Sequence, residues 1–368
     1  MMAFCPDVRS ACYWWLYVGS LSLALLSQPL SAVDPSWPVS VARAPIDTSG
    51  EPLAIELAVV VFDDGLPVFD ENDARHKLRA VETRLVAVVL RDILTEGQRF
   101  GAVRVLPSAS RFAALTITGT IIHSDGRDLI LAVRAEDATG QLWLDRMFRW
   151  TAQEQDYRGK NDEPFRPLFV AVANALWGHA KNLSQQSVSR LQELAQVRYA
   201  AELAPDFYSD YLQEREGLMT LARLPARGDP MIARINRIRN QEALFIDTVD
   251  EQYVELGIEL GPTYTLWRRS SLEQATYLES YVNRASERAN NAHRGSFANM
   301  QQVYYTYRSV KIQEQDLFEI ASGFDNETQP TVLDSGERVV RLEGTLENQY
   351  SQWRSILSRL IQLERGLP

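Results

Sequence analysis

Apolar positions along this chain change period several times, and the changes divide it into segments. Residues 53–62 (Leu-Ala-Ile-Glu-Leu-Ala-Val-Val-Val-Phe) are a nearly continuous apolar run closed by Asp63-Asp64-Gly65, the pattern of a strand buried on both faces. Leu78, Val81, Leu85, Val88, Val89 and Ile93 then recur at helical spacing, and Gly97 is placed to end that helix. Val103 to Leu106 reads as a short strand closed by Pro107. Strict alternation follows. Leu115, Ile117 and Ile121 alternate with Thr116, Thr118 and Thr120, and Leu129, Leu131, Val133 and Ala135 alternate after the turn Ser124-Asp125-Gly126. Asp137-Ala138-Thr139-Gly140 turns the chain again before Leu142–Trp150. Pro164 opens a helix with Phe165, Leu168, Phe169, Val172, Ala173 and Leu176 on one face.

From Ser184 the β-branched runs thin out and Gln, Arg, Glu and Tyr dominate. The pattern predicts helices near 185–203, 206–223, 229–257, 264–293 and 295–322. It predicts a small hairpin around Ser335-Gly336 between Thr331 and Thr345, and a last helix over 346–366 with Tyr350, Trp353, Leu357 and Leu360 on one stripe. Thr345 is placed to cap it. In the 295–322 helix, Val303, Val310 and Leu317 are seven apart, with Met300, Tyr307, Glu314 and Ala321 on the other seam; at three heptads, packing within one chain is favoured over an intermolecular coiled coil. No tetratricopeptide or ankyrin period is present. The expected fold class is α+β: a small β-α-β-β-β-β-α domain over 53–180, then an all-α helical bundle over 184–368 carrying a small hairpin.

The first 32 residues stand apart. No charge occurs from Ser10 to Val33, Tyr13–Leu26 is strongly apolar, and Leu30-Ser31-Ala32 is a small-residue cleavage site. This is the three-part pattern of a secretory signal peptide, with an uncleaved anchor as the alternative. Residues 33–52, with Pro35, Pro38, Pro45 and Pro52, read as an arm or linker. Cys5 and Cys12 both fall in the leader, so the chain from Val33 has no cysteine for disulfides, nucleophilic chemistry or metal binding. The expected location is the periplasm of a Gram-negative cell, with no membrane span after the leader.

With 368 residues, 45% hydrophobic and 23% charged, the chain is long enough for two ordinary domains and too apolar for disorder. A net charge of −10 repels phosphate backbones, so nucleic acid is not an expected partner. His76, His123, His179 and His293 show no metal spacing, and no nucleophile-elbow, phosphate-loop or dinucleotide motif occurs. No cofactor is expected. Asp63, Asp64, Asp70, Glu71 and Asp73 put five carboxylates in eleven residues. Such oxygen clusters suit hard cations, but three of the five sit where a helix begins, and capping of its amides is the favoured reading. After Ser184 there are 11 tyrosines, among them Tyr277, Tyr281, Tyr304, Tyr305 and Tyr307. Tyrosine with arginine is the composition of protein interfaces. Neighbours on a helix point about 100° apart, so the last three cannot all enter one core.

The strand ending Val59-Val60-Val61-Phe62, the helix through Val81-Glu82-Thr83-Arg84-Leu85 and the meander centred on Thr118-Gly119-Thr120-Ile121 together resemble the small mixed domains of bacterial envelope proteins. These are the amino-terminal domain of the TolB translocation family, the curli secretion lipoproteins and the outer-membrane lipoproteins that activate penicillin-binding proteins. The resemblance covers about a third of the chain and carries over no site residue; this chain also lacks the lipobox cysteine of the lipoprotein members. It implies envelope accessory work through protein contacts. The expected function is therefore a non-enzymatic periplasmic scaffold or accessory protein with other envelope proteins as partners. The alternative is an envelope hydrolase using paired carboxylates between the two domains. A third class, small-ligand binding between them, would need a closed apolar pocket.

Overall fold

The computed structural model describes residues 37–67, 74–158, 163–226, 228–288, 304–305, 307–308, 311–312, 315–316, 319, 331–334 and 339–364. Strand β2 (Leu57–Val60) is buried at all four positions, as its unbroken apolar run requires. It lies between two parallel neighbours, β3 (Val103–Leu106) and β4 (Leu115–Ser124). β4, β5 (Asp128–Asp137) and β6 (Leu142–Thr151) form the antiparallel meander that the alternation predicts. A short strand, β1 (Val39–Ser40), adds to β6 in parallel, giving the sheet order β1-β6-β5-β4-β2-β3. Helices α1 (Ala74–Gly97) and α2 (Arg166–Ala180) pack against each other and on the sheet, with Leu168, Phe169, Val172 and Leu176 buried. The α+β class is thus the class of the molecule.

The proline-rich arm lies on this core. The Trp177 indole donates to the Ser49 carbonyl at 2.8 Å, and Asn174 Nδ2 donates to the Pro45 carbonyl at 2.9 Å. Asp47 accepts from the Ser49 amide and from Lys181 at 3.0 Å, which holds its carboxyl at about 2.

In the second half, α3 (Gln185–Leu203) has the predicted bounds, with the Ser184 hydroxyl accepting the Ser187 amide at its start. Two expectations are corrected. The helix expected over 206–223 is one short turn, α4 (Pro205–Tyr208), followed by a hairpin of β7 (Leu212–Arg215) and β8 (Leu218–Leu221). Glu216 and Gly217 have φ of 55° and 78°, and two consecutive positive φ values make the tight turn that joins twisted strands. The two helices expected over 229–257 and 264–293 are one, α5 (Pro230–Arg288), with Pro262 inside it. Pro262 costs the Ile258 carbonyl its helical donor, but Ile258 faces solvent, where water can replace it. Tyr264 and Trp267, buried one turn further on, anchor the continuation. The hairpin between Thr331 and Thr345 is present as β9 (Thr331–Asp334) and β10 (Val339–Leu342). The chain then enters α6 (Leu346–Glu364), whose Asn348 amide faces the Thr345 hydroxyl.

One hydrophobic cluster runs from Leu53 to Ile361, and residues 35–368 form one compact unit. Helix α5 connects its parts. Along β3, Asp247 takes Arg104 at 2.5 Å, and Asp250 accepts the Val105 amide at 3.2 Å. A helix with carboxylates therefore covers the edge of the sheet, where an open strand would invite pairing with another chain. Further along, Gly257 of α5 packs near Val88 and Leu85 of α1. Among the described residues, no helix is long and apolar enough to cross a membrane.

Candidate functional site

An open groove of about 370 Å³ lies between α3, one side of β4 and β5, and the segment before β4. Thr116 and Thr118 of β4 and Arg134 and Glu136 of β5 form its floor, because the two-residue period puts them on the same side of the sheet. Arg198 and Glu202 project from α3, and Ser110 and Arg111 close the end. The carboxylates here are engaged. Glu136 pairs with Arg134 at 3.2 Å, and Glu202 pairs with Arg354. Asp137 turns into its own loop, accepting from Thr139 and from the Trp143 indole at 2.7 Å. The arginines are not all matched. Arg198 donates through Nη1 to the Ala138 carbonyl, while its buried Nε has no acceptor among the described residues. Burial first, and Arg111 second, pull the Arg198 guanidinium below its ordinary value.

Behind the groove lies a buried carboxylate. Glu242 of α5 is 1% exposed and accepts the Tyr199 hydroxyl of α3 at 2.5 Å and the Tyr350 hydroxyl of α6 at 3.0 Å. Arg354 stands 3.8 Å away. Burial holds the Glu242 carboxyl above the usual range, against the pull of Arg354 and the two hydroxyls. Tyr199 follows Arg198 on α3, so the helix that walls the groove also reaches Glu242. Three helices meet at this one side chain.

A second buried node joins α1, α5 and the β4–β5 turn. Glu82 accepts Tyr264 at 2.5 Å and Ser124 at 2.7 Å, with Arg79 at 3.2 Å. Arg268 pairs with Glu163 and lies 3.9 Å over the Tyr264 ring. Gly126 sits against the α5 backbone: a Cβ there would be 1.8 Å from the Arg268 carbonyl oxygen. Both nodes fasten helices together, and their polar groups face each other rather than solvent.

The residues singled out from sequence fall in different places. Asp63 joins β4 through backbone hydrogen bonds with Gly119 and Ile121, and its carboxylate accepts the Gly65 amide at 2.9 Å. Asp64 accepts the Leu66 amide at 3.0 Å. Both carboxylates thus shape a turn. Asp70, Glu71 and Asp73 lie outside the described residues, and among those described no three metal-ligating side chains gather. His123 is exposed beside Asp125 at 3.0 Å. Tyr304, Tyr305 and Tyr307 are helical and 61%, 56% and 50% exposed, with the first two rings edge to face at 6.2 Å. Tyr277 is half-buried on α5, and the Tyr281 side chain lies outside the described residues. Sequence reasoning passes over Arg111, Arg198 and Glu242. For the two arginines the only signal is a basic complement of 34 Arg to 4 Lys, since guanidinium is the cation suited to buried and forked contacts; for Glu242 there is none.

No protein-family model matches this chain, and no curated protein matches it. Among solved structures, it is similar to a dodecamer of a PelC point variant from Paraburkholderia phytofirmans, at 19% identity over 35% of this chain and 93% of that one, with a TM-score of 0.24.

Proposed function

We propose that this chain is a non-enzymatic accessory or scaffold protein of the bacterial periplasm, exported by its leader and acting through contacts with other envelope proteins. The observation that carries this reading is the outward tyrosine group: Tyr304, Tyr305 and Tyr307 are each helical and at least half exposed. Exposed aromatic clusters are costly in a free protein and are the anchors of protein interfaces. The element order of residues 53–180 and its resemblance to envelope domains support the same reading. So does the groove, whose carboxylates are each taken up by an arginine or a turn, an arrangement suited to holding a ligand rather than to acid–base exchange.

The test is native electrophoresis of envelope extract with antibody to the chain. The native protein is expected in the periplasmic fraction, beginning near Val33, in a species larger than the chain alone. Tyr304→Ser with Tyr307→Ser should release the free chain without changing its melting temperature. A native protein that migrates as the free chain, or one recovered from the cytoplasm with its leader intact, contradicts the reading.

A further inference from the structure

We propose that the groove beside α3 is a binding site for a carboxylate, held between the guanidinium groups of Arg111 and Arg198. This does not depend on the scaffold reading, since the site is built within one chain.

Charge accounting points to the ligand. Three arginines and three acids line the groove, so the lining is formally neutral. The acids, however, are directed elsewhere. Asp137 is buried in its own turn, Glu202 pairs with Arg354 from outside the lining, and Glu136 pairs with Arg134. Arg111 and Arg198 both line this space, and among the described residues neither has a carboxylate within ion-pair distance, although Glu136, Asp137 and Glu202 act on Arg198 from further off. Arg198 is half-buried, its single hydrogen bond goes to a backbone carbonyl, and its buried Nε is orphaned. That Nε is closed off from the groove, so the donors Arg198 can offer a ligand are those of its Nη groups, the fork that a carboxylate matches. Burial first, and Arg111 second, lower the Arg198 guanidinium against the weaker opposing pull of Glu136, Asp137 and Glu202.

Glu136 and Glu202 decide between anions. They flank the same groove and would repel a phosphate dianion more than a monoanion. A carboxylate brings one charge and two coplanar oxygens, which match the fork of a guanidinium. The hydroxyls of Ser110, Thr116 and Thr118 are there to hydrogen-bond the rest of the ligand. The carboxylate can come from an acidic side chain on a peptide or from a small free acid, and both share this chemistry.

The experiment is isothermal titration of the chain from Val33 at low ionic strength, where exposed charges are least screened. The probes are an end-blocked Gly-Glu-Gly peptide, its Gly-Gln-Gly counterpart, butyrate and inorganic phosphate. Saturable binding of the Glu peptide or of butyrate is expected, with none of the Gln peptide. Binding of the peptide alone assigns a peptide-borne group; binding of butyrate alone assigns a free acid. Arg111→Gln, at an exposed position, should weaken binding at least about tenfold, the equivalent of about 1.4 kcal/mol, with the melting temperature unchanged. Arg198→Lys keeps a charge, loses the fork and should weaken binding too. Arg341→Gln, remote from the groove, should leave it intact. Preference for phosphate, absence of carboxylate binding, or binding that survives both groove variants would overturn the proposal.

Discussion

The Tyr350 hydroxyl of α6 donates at 3.0 Å to Glu242 of α5, a side chain 1% exposed. Two residues 108 positions apart, on different helices, are thereby joined, and Tyr199 of α3 brings in a third helix. Removing a donor leaves that carboxylate under-satisfied. Tyr350→Phe or Tyr199→Phe should each cost about 1–3 kcal/mol, measured by denaturant unfolding. The two losses should not add, because both act on one acceptor.

The same carboxylate predicts a pH dependence. Its acid form is favoured in the folded state because burial raises its proton affinity; Tyr199 and Glu202 from α3 and Tyr350 and Arg354 from α6 surround it. A carboxyl whose folded pKa is raised contributes stability below its unfolded value and loses that contribution as pH rises through the folded one. Glu242→Gln cannot ionise. The stability of the native chain relative to this variant should fall as pH rises above the ordinary glutamate range, then level off. A relative stability that rises with pH would show the opposite sign.

Two glycines separate steric need from habit. Gly126→Ala places a methyl group against the Arg268 carbonyl of α5 and should loosen α5 from the β4–β5 turn, with a marked fall in melting temperature. Gly178→Ala, inside α2 with open space around it, should be neutral or stabilising by up to about 1 kcal/mol. Equal effects from the two would contradict the close packing of the turn on the helix.

The stripe read from the last helix is buried: Tyr350, Trp353 and Leu357 are at most 1% exposed, and Phe245 of α5 stacks on Tyr350. Ile361 is buried at the end of the stripe, while Leu360 is only half-buried. Trp353→Ala should therefore cost about 3–5 kcal/mol in unfolding free energy. An unmoved melting temperature would mean that α6 does not dock through this face.

What can be read from the sequence is periodic and local. The buried run of β2, the alternation of β4 to β6 and the stripe of α6 each state their burial in a few neighbouring residues. The β7–β8 hairpin escapes such reading because Glu216-Gly217 is an uncommon pair for a turn with two positive φ values, and its polar neighbours show no alternation. Pro262 reads as a helix break because the chain alone does not show that Ile258 faces water. The groove is invisible for a different reason. Arg111 and Arg198 are 87 residues apart by their numbers, and only the packing of α3 beside the sheet makes them neighbours.

The continuous core makes a prediction about the division near Ser184. A fragment of residues 53–180 lacks α5, which covers the edge of β3 through Asp247 and Asp250. It also lacks α3, whose Tyr199 packs edge to face on Phe112. Expressed alone, the fragment should aggregate or unfold without a cooperative transition. A sharp, reversible melt with mixed α and β circular dichroism would show that the first half is self-sufficient.

The scaffold reading is tested most directly by placing a photo-crosslinking amino acid at Tyr305 in cells that express the full chain. Irradiation should give discrete adducts with envelope proteins, and the same probe at Glu216, on the tip of the β7–β8 hairpin, should not give them. Absence of any adduct from Tyr305 under conditions where the chain is exported and folded would contradict the proposed function.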